Sequence, residues 1–207
     1  MERMDEVASW EAEQIIAASR LLAARGWAPA GAGNYSHRRP SGDIAITVSG
    51  AHKASLHADD VMAIDVDGHP LDGRRPSAEA ALHLAVYRLY PKATAVLHTH
   101  SVPAVVISRR IGGSLRLAGY ELLKAFPGVE THDCAVELPV FDNSQDMAAL
   151  AVTVAAALIV KPAPAFLIRD HGLYGWGETM DEALRVVEAA ETLISCEWEL
   201  MRMEARG

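Results

Sequence analysis

Little in this sequence ties it to a membrane, to nucleic acid or to an oxidising compartment. Its two cysteines, Cys134 and Cys196, lie far apart and form no CxxC pair. A disulfide framework is therefore not expected, and the ordinary reading is two thiols in a reducing cytoplasm. No apolar run approaches the roughly 18 residues that a membrane-spanning helix needs. The opening MERMDEVASW is acidic where a secretion signal would be basic and then apolar. Lysine and arginine form no block and the formal charge is −8. An RNA- or DNA-binding surface is not expected, although a local basic pocket for a small anion is compatible with that balance. The phosphate-binding patterns GxGxxG and GxxxxGK[ST] are both missing, so neither common nucleotide fold is supported.

What is present is an ordinary globular balance, half the residues hydrophobic and 22% charged, on 207 residues. That length suits one domain with a substantial core. Helical spacing of Ile15, Ala18 and Leu22 predicts a helix over 5–25, stopped near Gly26. The glycine-rich 30–38 runs into extended chain, and β-branched residues over 43–50 predict a strand. Over 60–71 a strand and its return are expected around Asp67-Gly68. A helix is expected over 77–90, with Ser77 as its cap. A strand over 94–99, a helix after Pro103 and a helical turn over 119–126 follow. Next come a strand over 135–141 and a helix from about 143 to 158. Two strands flank a His-Gly bend within 163–177. The last helix, about 179–203, should bury Leu184, Val187, Ile194 and Trp198. Strands and helices interleave and no linker divides the chain, so the expectation is one α/β domain over 1–207.

Chemistry concentrates in LHTHS, residues 97–101. On a strand, residues i and i+2 point the same way, so His98 and His100 can converge on one ion while Thr99 faces away. Neutral imidazole is a good zinc ligand, and catalytic zinc usually keeps three protein ligands and an open position. His171, after another apolar strand and before Gly172, is the third candidate. The other histidines, His37, His52, His57, His69, His83 and His132, read as solvated or as ordinary hydrogen-bonded core residues.

Two glutamates stand out. Glu79, in the first turn of a helix, could complement the helix dipole or act in a site. Glu121 lies between apolar residues, with Lys124 three positions on as an ordinary ion-pair partner; beside a metal-bound substrate it would be a general acid or base. Backbone amides and small hydroxyls recur in GAGNYS (31–36), in Ser49-Gly50 with Lys53 nearby, and in Pro76-Ser77. Such segments favour anions, but each is first a turn signal, and only their convergence would make a phosphate cradle.

In this order and at these separations, GAGNYSHR, TVSGAHK, PSAEAALH, AVLHTHS and RDHGLYGWG resemble the class II aldolase/adducin superfamily, from about residue 10 to 200. The resemblance implies a three-layer α/β/α sandwich with a largely antiparallel central sheet. It also implies one zinc ion per subunit and a homotetramer with sites near subunit interfaces. LAGYELLKAF, FDNSQDMAALA and HGLYGWGETMDEA look most like the family's sugar-phosphate dehydratases. That implies a cytoplasmic hydro-lyase of methionine salvage that turns 5-methylthioribulose 1-phosphate into 2,3-diketo-5-methylthiopentyl 1-phosphate. Carried over by position, His98, His100 and His171 are the zinc ligands and Glu121 the acid/base. Gly33, Asn34, Ser49, Gly50, Lys53 and Ser77 lie around the substrate phosphate. Glu79 matches the aldolases' catalytic carboxylate, its role here left open. The rivals are a fuculose- or rhamnulose-1-phosphate aldolase, disfavoured because no tyrosine follows Tyr174, and a pentulose-phosphate 4-epimerase, which has Asp where Glu79 stands. A metal-free binding module of the adducin type is disfavoured by the three histidines.

Overall fold

In β4 (Ala95–Thr99) successive side chains separate two cores. Ala95 and Leu97 enter one and Val96 the other, as strand alternation requires. The computed structural model, which describes residues 10–205, places helices against both cores. On the Leu97 side are α1 (Trp10–Ala24), α3 (Val102–Arg110) and α5 (Met180–Glu204), contributing Ile15, Leu22, Ile107, Val187 and Leu193. On the Val96 side are α2 (Ala80–Leu89) and α4 (Met147–Val160), contributing Leu82, Val86, Val154 and Leu158. Each fully buried Leu or Val contributes about 1.5–3 kcal/mol of transfer free energy.

Between the layers lies an eight-stranded sheet. The other strands are β1 (Asn34–Arg38), β2 (Ile44–Thr47), β3 (Val61–Ile64), β5 (Ser114–Ala118), β6 (Ala135–Phe141), β7 (Ala165–Ile168) and β8 (Gly172–Gly177). Their order is β3-β2-β1-β4-β8-β7-β6-β5. Only the β6–β7 pair is parallel; the other neighbours are antiparallel. The three-layer, largely antiparallel architecture is thus the expected one. Short connections fix it: β8 returns on β7 through one turn at Arg169–His171, and Thr179 caps α5 by accepting from the Glu182 amide at 3.1 Å. No helix among the described residues is long and apolar enough to cross a membrane.

Several elements differ from expectation. Residues 5–9 of the first helix lie outside the described residues. Ser77 does not cap α2: Glu79 holds the cap position without a side-chain cap bond, and the Ser77 hydroxyl meets the Glu79 amide at 3.4 Å. The return after Asp67-Gly68 is a single bridge, Ile64 to Pro70, because proline cannot donate to a ladder. β5 was not expected; its alternation of Leu115 and Leu117 around exposed Arg116 is only five residues long. In α5, Val187 and Ile194 are buried, whereas Leu184 and Trp198 are half-buried, the inward stripe running through Ala183, Val186, Ala190 and Leu193 instead.

Candidate active site

His98 continues the Val96 face of β4 and is completely buried. Its ring stacks on Tyr174 at 3.9 Å and 12°, and its Nδ1 donates to the Leu173 carbonyl at 2.9 Å. That bond fixes the tautomer and leaves Nε2 bare. His100 follows the strand end, its amide donating to the Trp27 carbonyl at 2.8 Å. His171 sits in the β7–β8 turn, which Arg169 fastens by donating to the Ser108 and Ile111 carbonyls at 2.6 and 2.9 Å. The three rings meet with centroids 4.4, 4.7 and 4.9 Å apart.

Two glycines permit this meeting. A Cβ on Gly172 would lie 1.9 Å from the Thr99 carbonyl oxygen, and one on Gly33 would lie 2.6 Å from that of His98. Gly33 also has φ +95°, a conformation that disfavours any side chain. On the far side of β4, Thr99 and Ser101 donate to Glu191 of α5, a fully buried carboxylate. The hydroxyls between and after the two histidines are thus anchored in the opposite layer.

Glu79 enters the histidine cluster from the start of α2. Its Oε2 lies 3.2 Å from His98 Nε2 and its Oε1 lies 3.0 Å from His171 Nε2. It also accepts from Tyr174 at 2.8 Å and from Asn34 Nδ2 at 2.6 Å. Burial alone would raise its pKa, but the histidines and Asn34 outweigh burial and hold the carboxyl well below the usual range. Burial lowers His98, and burial with the neighbouring His171 brings His100 down to about 4.

The segments expected to favour anions also gather here. The Ser49 amide donates to the Arg75 carbonyl at 3.0 Å and the Ser77 amide to Thr47 at 3.2 Å, so Ser49-Gly50 lies beside Pro76-Ser77. Gly31 packs on His52, which brings the glycine-rich loop alongside. Lys53 is buried, its ammonium donating to the Ala51 carbonyl. Burial lowers its pKa, and its charge is felt at Glu79 and His100. Asn34 is buried too, its amide engaged by Glu79 and His83.

Glu121 is not brought to this cluster within the chain. It opens a 3-10 turn, Glu121–Ala125, after edge strand β5, four strands from β4. The turn packs on α5 through Leu123, in the layer opposite Glu79. Its carboxylate, 71% exposed, pairs with Lys124 at 2.5 Å and His132 at 3.4 Å. Sequence reasoning missed Glu191, which looks like any helix acid, and the part played by Tyr174. An apolar cavity of about 710 Å³ around Tyr90, Pro164 and Trp176 lies at the far end of β8 and shares no residue with the cluster.

The donor set suits a divalent ion. One nitrogen of each histidine lies within 4.8 Å of the others, and burial favours the neutral, ligating form of His98 and His100. A bare His98 Nε2 facing a carboxylate oxygen sets lone pair against lone pair, which a cation between them relieves.

An eight-stranded, mostly antiparallel sheet carries three imidazoles and a carboxylate at one end, a donor set compatible with a divalent metal ion. Residues 13–198 match the Class II Aldolase and Adducin N-terminal domain, and the chain belongs to that family. It is 51% identical over 196 residues to methylthioribulose-1-phosphate dehydratase of Marinobacter nauticus, covering 93% of this chain and 94% of that one. It is also 51% identical over 194 residues to the protein of that name from Pseudomonas paraeruginosa, covering 92% and 95%. The solved structure of L-fuculose-1-phosphate aldolase from Thermus thermophilus superposes with a TM-score of 0.75 at 27% identity, covering 94% and 96%.

Proposed function

We propose that this chain is a hydro-lyase that converts 5-methylthioribulose 1-phosphate to 2,3-diketo-5-methylthiopentyl 1-phosphate and water, a step of methionine salvage. The observation that supports it most is the three-histidine cluster with Glu79, on a chain half identical to dehydratases of that name. His98, His100 and His171 would hold one zinc ion. Bound there, zinc is a Lewis acid that polarises carbonyl and hydroxyl oxygens and acidifies the C3 proton.

The chain's own residues supply the rest. Gly33, Ser49, Gly50 and Ser77 offer amides and hydroxyls to the phosphate, and Lys53 offers a buried cation. Asn34 has one amide hydrogen left for it. These contacts position C3 and C4 rather than react. Glu79, already accepting from Asn34 and Tyr174, is a poor proton acceptor; it orients His98 and His171 and balances the charge of the centre. Proton transfer falls to Glu121. It takes the C3 proton and protonates the departing C4 hydroxyl, so water leaves and the enol ketonises. Because Glu121 lies in the opposite layer of its own chain, it is contributed by a neighbouring copy, in a homotetramer with sites at subunit interfaces. The two unpaired thiols, Cys134 and Cys196, suit a reducing cytoplasm.

The test is turnover by metal-replete protein of 5-methylthioribulose 1-phosphate, with ribulose and fuculose phosphates alongside. Formation of the diketone without dihydroxyacetone phosphate is expected. Release of dihydroxyacetone phosphate from fuculose 1-phosphate, with no diketone, would replace the dehydratase by an aldolase.

A further inference from the structure

Glu79 is held from behind as well as by the histidines. A line of buried polar groups runs from it into the core beneath α2. Asn34 Nδ2 lies 2.6 Å from Glu79, and Asn34 Oδ1 meets His83 Nε2. His83 Nδ1 lies 2.6 Å from the Ser36 hydroxyl, which lies 2.8 Å from the Tyr87 hydroxyl. Ser36 and His83 are fully buried, and Asn34 and Tyr87 nearly so.

The direction of every bond follows from the carboxylate end. Ionised Glu79 only accepts, so Asn34 turns its NH2 toward it and its carbonyl toward His83. That carbonyl also only accepts, so His83 carries its proton on Nε2. The bare Nδ1 then accepts from Ser36, and Ser36 accepts from the Tyr87 hydroxyl, which also faces the Thr94 carbonyl at the longer distance of 3.3 Å. The donors point one way, from Tyr87 to Glu79. His83 also meets Tyr174 edge-on, with centroids 5.9 Å apart at 78°, and Tyr174 is the other neutral donor to Glu79.

We propose that His83 is a positioning residue of the active centre: through the Asn34 amide it fixes the orientation in which Glu79 stands between His98 and His171. It is fully buried and its ring bonds to Ser36 and Asn34, not to His98, His100 or His171. A histidine serving the core alone needs only any two partners; both bonds of this one lie on a single path that ends at Glu79. The proposal rests on reading the Glu79–histidine cluster as the active centre.

The test has two arms. Nitrogen-15 correlation spectra of the imidazoles report the tautomer whether or not the protein dehydrates anything. His83 is expected as the Nε2-protonated form, unchanged between about pH 5.5 and 8 where a free histidine titrates. A proton on Nδ1, or a ring that titrates across that range, overturns the proposal. In the second arm, His83→Leu keeps bulk but removes the donor, freeing Asn34 to turn, while His83→Gln restores an NH2 toward the Asn34 carbonyl. His83→Leu is expected to lower kcat by about 10- to 100-fold with a smaller rise in KM, since Asn34 also faces the phosphate, and His83→Gln to recover most of both. Wild-type kcat in folded His83→Leu, or equal losses in both variants that follow their melting temperatures, contradicts it. If wild-type protein shows no dehydration, the functional reading fails while the spectrum still decides the bonding.

Discussion

Replacing Glu191 by glutamine should make the protein more stable at pH 8 and leave it little changed near pH 4.5. Glu191 is fully buried and accepts from the Thr99 and Ser101 hydroxyls rather than from a cation. Burial raises its pKa from 4.5 to about 7, against the opposing effect of those two hydroxyls. The usual acid is depressed on folding; this one is raised, so the sign is reversed. Between the unfolded and folded values the native state holds the extra proton, and stability falls as pH rises. The penalty is complete above the folded value and amounts to roughly 3 kcal/mol at most, at 1.36 kcal/mol per unit. Glutamine is nearly isosteric and carries no charge, so it escapes that penalty. It offers only one acceptor, and one hydroxyl must instead accept from its NH2. A net gain of about 1–2 kcal/mol at pH 8 is expected after that loss. For a chain of this size it corresponds to a rise in melting temperature of about 2–8 °C. Urea titrations of both proteins at pH 4.5, 6 and 8, at one protein concentration, measure it. A Glu191→Gln variant less stable than wild type at pH 8, or a difference independent of pH, refutes the reasoning.

Other consequences can be measured directly. Glu121→Gln should retain full metal content while turnover falls by about 10²- to 10⁴-fold. Mixing Glu121→Gln chains with His98→Ala chains should restore activity if the glutamate comes from a neighbour; no recovery in verified hybrid oligomers contradicts that arrangement. Gly172→Ala puts a methyl where 1.9 Å separates it from the Thr99 carbonyl; a loss of about 3 kcal/mol or more, or failure to fold, is expected in thermal or urea unfolding. Lys53→Met should raise KM for the phosphorylated substrate about tenfold or more with a smaller change in kcat, as steady-state kinetics will report.

The legible part of this protein is the part set by local spacing. Period-two spacing brings His98 and His100 to one side although β4 ends at Thr99, and His171 stands out through the turn and glycine after an apolar strand. Glu79 was visible as a residue but not as a partner of the histidines, because its position depends on how α2 packs across β1 and β4. Glu191 was invisible: its neighbours Ala189, Ala190 and Leu193 mark a buried helix face, but a single acid on that face resembles a solvated one until Thr99 and Ser101 are seen beneath it. Strand β5 escaped because five residues with a central Arg116 carry too short an alternation to separate from loop. The location of Glu121 illustrates the opposite limit. Its segment resembles that of the dehydratases, yet one folded chain keeps it in a layer away from the histidines, so the proposed role there requires a neighbouring copy.

The most direct measurement is metal content and affinity in wild type and in His98→Ala, His100→Ala and His171→Ala, by elemental analysis and by cobalt substitution followed in the visible spectrum. One ion per wild-type chain is expected, with a four- or five-coordinate cobalt spectrum and a marked loss in each single variant. Stoichiometric, tightly bound metal that survives all three substitutions, or folded wild-type protein that takes up none, would contradict a centre built on these three imidazoles.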